Sequence, residues 1–239
     1  ALVAVLWIVA ALSVLVTGVV QAQRAELRLA GAARASLLGD AAGQAAIYLV
    51  LQRLGGGAPH VDRLTRTVVR YGEQDLTVEV RPLTGLVDLN LAPAPLLAAF
   101  FARVGGADDG RASAIADALV ARRSANGGAS GLLSAPEELL SVPGVDYELF
   151  ARIAGFVTTD SRGGGRINPL AAPIEDLSLL APGNAALARR IADERDAGAV
   201  AIDTTRLEGA FIDATVSSRT RFTAHVPMPD GARVLVVRD

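Results

Sequence analysis

The chain has 239 residues, with 25 acidic and 23 basic side chains, a formal net charge of −2 and no cysteine. The balanced charge leaves no electrostatic footprint for nucleic acid, and the missing cysteines exclude disulfides and thiolate metal sites. Every basic residue is arginine, and hydrophobic residues make up 51% of the chain but aromatics only 4%, so any core has to be built from Ala, Leu and Val.

The chain opens with ALVAVLWIVAALSVLVTGVV, residues 1–20, without a charge. Twenty residues at about 1.5 Å each reach roughly 30 Å, the thickness of a bilayer's hydrocarbon core. The expectation is a transmembrane anchor carried by Leu2, Val5, Leu6, Trp7, Ile8, Leu12, Leu15 and Val19, single-pass in a bacterial inner membrane, with the bulk of the chain in the periplasm. No acidic residue occurs before Glu26. The helical pattern then continues without proline over residues 21–54. Leu27, Ala30, Arg34, Leu37, Leu38, Ala41, Ala45, Tyr48, Leu49 and Gln52 recur at i, i+3, i+4 spacing, which predicts a face that lies on a folded domain. Gly55-Gly56-Gly57 and Pro59 end the helix. Small side chains at Ala22, Ala25, Ala30 and Ala33 permit close approach of another helix and form the candidate assembly interface.

RTVVRYGEQDLTVEVRP reads as a hairpin, with Leu76, Val78 and Val80 alternating with polar residues after a Gly-Glu-Gln-Asp turn. A second hairpin closes the chain: RTRFTAHV, the Pro229-Asp230-Gly231 turn signal, then ARVLVVR. Residues 55–91 and 199–239 therefore form the β region. Residues 92–198 read as an inserted helical domain.

The insert repeats itself. VDLNLAPAPLL and INPLAAPIEDL match at Asp88 against Asn168 and at Ala92-Pro93 against Ala172-Pro173, and SAPEELLSVPG is a shorter third copy. In each, a short polar side chain can cap the backbone while proline enters a helix's first turn. Ser134 and Glu137 have capping-box spacing, and Glu137, Glu138, Glu175 and Asp176 face the positive end of a helix dipole, so these acids read as caps. LLSVPGVDYELFARIAGFV and LLAPGNAALARRIADERDAG each resemble half of a helix-hairpin-helix unit. The glycine that would approach a phosphate is replaced by Asp146 or Ala185, and the acids around both hairpins would repel a nucleic-acid backbone. Helix packing is the favoured reading of both.

No catalytic constellation emerges. His60 and His225 each lack a partner at ligand spacing, Ser130 in GGASGLL lacks a strand-to-helix context, and Gly163-Gly164-Gly165 does not lead from a strand into a phosphate-binding helix. The chain is expected to be non-enzymatic and to require no cofactor. The loop acids Asp108, Asp109 and Asp160 could hold calcium through oxygen ligands, although no EF-hand spacing supports it.

The apolar start, QAQRAELRLA, DAAGQAAIYLVLQRL, the VDLN and IN-x-x-x-AP segments, EELLSVPGVDYELFARIAGFVT and the closing SSRTRF together resemble one family along essentially the whole chain. It is general secretion pathway protein K, the large minor pseudopilin of bacterial type II secretion. The resemblance implies an α+β, pilin-like fold, in which a long N-terminal helix packs on a small antiparallel sheet with a large all-helical domain inserted. It implies a position at the tip of the pseudopilus, initiating its assembly. The implied partners are general secretion pathway proteins I and J, then protein H and the major pseudopilin, with cleavage and N-methylation by a prepilin peptidase. Two other readings stay open: a membrane-tethered helix-hairpin-helix protein that binds DNA, and a minor pilin of a type IV pilus.

Overall fold

The computed structural model describes residues 2–55, 61–125, 131–228 and 231–239; within 2–25, side chains are described only at Trp7 and Gln23. Among the elements singled out from the sequence, Gly56, Gly57, Pro59, His60, Ser130, Pro229 and Asp230 lie outside the described residues.

The fold is α+β. A single helix, α1 (Leu2–Gly55), precedes a hairpin of β1 (Thr65–Tyr71) and β2 (Gln74–Pro82), and a second hairpin of β5 (Thr220–Pro227) and β6 (Arg233–Arg238) closes the chain. The four strands form one antiparallel sheet in the order β1-β2-β5-β6. In the first hairpin Tyr71 is opposite Gln74 and Arg70 opposite Asp75, so the ladder takes in half of the expected turn. Only Gly72 and Glu73 remain in the loop, with Gly72 at φ 61°, a conformation glycine adopts without strain. Alternation then sends Leu76, Val78, Val80, Phe222, Ala224, Val226 and Val236 to one buried face.

α1 covers that face along a seam of small residues. A Cβ placed on Gly39 would lie 2.9 Å from Val234 Cγ2, and one on Gly43 2.4 Å from Val236 Cγ2. Ala46, Ile47 and Val50 continue the seam, all buried. Of the face expected from periodicity to lie on the domain, Leu49 is half-buried against that core, but most of the rest points the other way. Leu27, Leu37, Leu38 and Tyr48 are 73%, 71%, 61% and 69% exposed. The helix meets the sheet where the side chains are smallest, because backbone-to-sheet contact needs room that leucine would fill.

The single-pass inner-membrane placement, with its periplasmic bulk, is overturned: among the described residues no helix is long and apolar enough to cross a membrane. From Glu26 onward, where its side chains are described in series, α1 interleaves Glu26, Arg28, Arg34 and Asp40 with leucines and alanines, so no run of about 20 apolar residues occurs in that part of the helix. Of the expected anchor residues, Leu2, Val5, Leu6, Ile8, Leu12, Leu15 and Val19 have side chains outside the described residues, and Trp7 is 72% exposed.

β2 and β5 are neighbours, Pro82 opposite Thr220, although residues 83–219 separate them in sequence. That long excursion holds α2 (Ala94–Arg103), α3 (Asp109–Ala125), α4 (Tyr147–Ile153), α5 (Ile174–Leu180) and α6 (Ala185–Asp196). Two short strands, β3 (Val87–Asp88) and β4 (Val157–Thr158), pair in parallel beside them. Its core of Leu96, Leu97, Phe100, Phe101, Ile115, Leu119 and Ile153 shares no residue with the core beneath α1, and draws in Val87, Leu89 and Leu207.

The internal repeat is a repeated turn. Buried Asp88 accepts hydrogen bonds from the amides of Asn90 (2.8 Å) and Leu91 (3.1 Å), and Asn168 accepts one from the amide of Leu170 (3.0 Å). Pro95 lies in the first turn of α2 and Pro136 opens a 3-10 helix, as expected, whereas Pro93 and Pro173 occupy the N-cap positions of α2 and α5 in extended conformation. In the third copy the Ser134 amide donates to the Glu138 carboxylate (3.2 Å), not to Glu137. Asp176 departs furthest from expectation. It is completely buried, and neither of its carboxylate oxygens has a hydrogen-bond partner. Burial pushes its carboxyl well above the usual carboxylate range, against the opposing pull of Arg81 and with Glu175 adding to the rise.

Candidate assembly interface

Between Gln23 and Leu38 every described side chain of α1 is exposed except Ala35, which is half-buried. The helix first meets its own sheet at Gly39. From Glu26 to Leu38, about 20 Å of helix at about 1.5 Å per residue, no described side chain is buried against this domain. An isolated helix is marginal in water, and its stability comes from an apolar face packed against something else. Ala30, Ala33, Leu37, Ala41, Tyr48 and Leu51 recur at three-, four- and seven-residue spacing, exposed, on the side of α1 opposite Gly39, Gly43, Ala46 and Val50. Ala30 and Ala33 of the expected interface belong to this stripe; the side chains of Ala22 and Ala25 lie outside the described residues. Leu37, Tyr48 and Leu51 extend the interface beyond the alanines. Leu37 and Tyr48 stand out by periodicity in the sequence and Leu51 does not, and periodicity alone does not say which body covers a face.

The Pro-Gly hairpins of the insert are tied to the insert itself. Gly144, at φ 89°, packs on Ile115, and its carbonyl accepts from Arg111 Nε at 2.9 Å. Arg111 also holds Asp146 at 2.6 Å, while Asp146 caps α4 through the Leu149 amide at 2.8 Å. That amide, followed by the Arg111 guanidinium, holds the Asp146 carboxyl below its ordinary range. In the second hairpin the Asn184 amide donates to the Ala181 carbonyl, and its side chain caps α6 through Leu187 at 2.9 Å. Both hairpins are helix entries of the same design.

Of the loop acids considered for calcium, Asp109 lies in the first turn of α3, and the other two have protein partners. Asp108 accepts from the Arg111 amide at 2.9 Å, and Asp160 pairs with Arg162 (3.0 Å) and Arg219 (3.2 Å). Among the described residues no group of three or more His, Asp or Glu side chains converges as a metal site would. His225 lies on the open face of the sheet beside Thr77, Arg66 and Arg233, in a shallow cleft of about 350 Å³.

No protein-family model matches the chain, and no curated protein matches it. Among solved structures, the GspK-GspI-GspJ complex of the type 2 secretion system from enterotoxigenic Escherichia coli contains a chain similar to this one at 15% identity and a TM-score of 0.43. The similarity covers 91% of this chain and 98% of that one.

Proposed function

We propose that this protein is a non-enzymatic minor pseudopilin of the type II secretion class, which takes the tip position of a pseudopilus and starts its assembly. The observation that carries the reading is the exposed apolar stripe Ala30, Ala33, Leu37, Ala41, Tyr48 and Leu51, on a helix whose opposite side is already buried on its own sheet. Such a face is suited to a bundle with other long helices, and small residues within it let backbones approach closely. Its partners in this reading are general secretion pathway proteins I and J, with protein H and the major pseudopilin joining below. The helical excursion between β2 and β5 is bulky enough to obstruct a further subunit stacked above, so the fibre grows from beneath. The loop-borne acids contribute to folding rather than chemistry in this view, and no cofactor is needed.

Co-purification of the full chain with proteins I and J tests the proposal. An Ala33→Trp change should weaken capture of both at least tenfold while leaving the melting temperature of the folded part unchanged. Unaltered capture in that variant would refute the assignment of the interface. Paired cysteines in this helix, cross-linked in assembled fibres, test the position: frequent links between copies of this chain would mark a repeating shaft subunit and exclude the tip.

A further inference from the structure

The sheet has two edges, and they differ. On β1, Arg66 is held by Asp196 at 2.5 Å and Glu79 at 3.3 Å, and Arg70 lies 3.9 Å from Asp75, so the arginines of that edge are matched within the molecule. On β6 the sequence is RVLVVR, flanked by Arg233 and Arg238, both exposed. Among the described residues neither forms an ion pair; the neighbouring Asp239 is taken by Arg221 through two bonds, at 2.6 and 2.7 Å. Leu235 and Val237 are 58% and 44% exposed.

The ladder fixes which backbone groups face outward. The Met228 amide donates to the Ala232 carbonyl in the turn, so by antiparallel alternation Val234, Val236 and Arg238 bond to β5. Arg233, Leu235 and Val237 turn their amides and carbonyls to the free edge. Pro227, which has no amide to give, sits opposite Arg233, as this phase requires. The Val237 carbonyl accepts from the Arg238 guanidinium at 2.9 Å, a bond that a competing strand would replace. Beside the same edge, Gln44, Ile47, Tyr48, Leu51 and Arg238 enclose an apolar cavity of about 140 Å³, room for one branched aliphatic side chain.

We infer that the free edge of β6 accepts an extended segment of a partner protein by strand addition, the segment carrying acidic residues opposite Arg233 and Arg238 and aliphatic residues between them. Main-chain bonds from Arg233, Leu235 and Val237 would supply affinity, and the two guanidinium groups and the cavity beside Tyr48 would supply specificity. A second copy of this chain is disfavoured as occupant. With Arg233, Leu235 and Val237 bonding outward, antiparallel pairing of β6 with itself would set Leu235 against Leu235 and Arg233 against Val237, bringing four arginines to one interface with no acid to match them. The inference does not depend on the pseudopilin reading.

The test uses the full chain and two capped hexapeptides, Glu-Thr-Val-Thr-Val-Glu and Arg-Thr-Val-Thr-Val-Arg, with binding followed by NMR shifts and amide exchange. The acidic peptide should bind at least tenfold more tightly than the basic one, protect the amides of Leu235 and Val237, and shift Tyr48. The double charge reversal Arg233→Glu with Arg238→Glu should invert that preference. Leu235→Pro, which removes an outward amide without touching the β5 ladder, should weaken the acidic peptide at least tenfold at unchanged melting temperature. Equal binding of both peptides, no binding at millimolar concentration, or a dimer of the free chain that the peptide dissociates would each overturn the inference. None of those results would alter the capture assay on the exposed face of α1.

Discussion

Asp176 shows how much a single side chain can depart from its local pattern. An acid in the first turn of a helix should cap it, yet this one is turned inward, fully buried beneath the insert with both oxygens unpartnered. The arginine that pulls on it, Arg81, is engaged with Glu79, and its own Nε is likewise buried without a partner. A carboxyl whose pKa is raised on folding binds more protons folded than unfolded, so stability falls as pH rises from the unfolded value near 4 through the raised folded one. Asp176→Asn removes that slope. The variant should melt several degrees higher than the parent at pH 7, and the difference should vanish below about pH 4, where both states of the parent are protonated; calorimetry across that range checks it. A parent that instead gains stability from pH 4 to 7 relative to the variant would mean that the carboxylate is charged and paired with Arg81. Gly85 is constrained in another way, since a Cβ there would sit 2.2 Å from the Ala171 backbone. Gly85→Ala should cost about 2 kcal/mol or more by overpacking, read as a lowered midpoint in urea.

At the scale of elements, what could be read in advance was whatever the chain's own periodicity determines. Alternation of Leu76, Val78 and Val80 specified β2 and its buried face, and the proline-free run to Gly55 specified one continuous helix. The turn of the first hairpin was placed too broadly because Gln74 and Asp75 look like loop residues; cross-strand pairing with Tyr71 and Arg70 draws them into the ladder. The buried side of α1 was misread for a physical reason. Hydrophobic periodicity weights leucine and tyrosine, whereas the sheet selects Gly39 and Gly43, whose contribution is the absence of a side chain. Leu37 and Tyr48 of the expected face became part of the candidate site once the sheet had claimed the other side. These two faces should separate in mutagenesis. Gly43→Leu, with a Cβ due 2.4 Å from Val236, should destabilise the fold by about 1–3 kcal/mol. Leu37→Ala should leave stability within about 0.5 kcal/mol, as for other exposed positions, but weaken capture of partner subunits. Equal melting temperatures for Gly43→Leu and the parent would show that the seam is not tightly packed.

The whole molecule is a sheet that opens between β2 and β5 to release a helical body and then closes again, and its two apolar cores share no residue. What joins them is polar. Arg66 reaches Asp196 at the end of α6, Arg63 donates to the Ala199 carbonyl at 2.9 Å, and Arg221 donates to the Val157 carbonyl at 3.3 Å while binding Asp239. The Leu64 amide donates to the Leu170 carbonyl, and the Leu83 amide to the Arg219 carbonyl. None of this was visible along the chain, because each bond joins residues far apart in sequence. A separation of this kind predicts that the sheet does not need the helical body in order to fold. Pro82 and Thr220 already face one another in the ladder, so residues 83–219 can be replaced by a two-residue Asn-Gly turn of the kind that closes tight hairpins. Four strands packed on α1 exceed the minimum for an independent sheet, and every member of that core lies outside the excised stretch. The shortened chain should unfold cooperatively, at a lower temperature than the parent because the polar joints are gone. Its amides at Val78, Val80, Ala224 and Val226 should remain protected from hydrogen exchange. Loss of protection at those four positions in an otherwise monomeric product would show that the helical body holds the sheet together, and the two cores would then have to be treated as one.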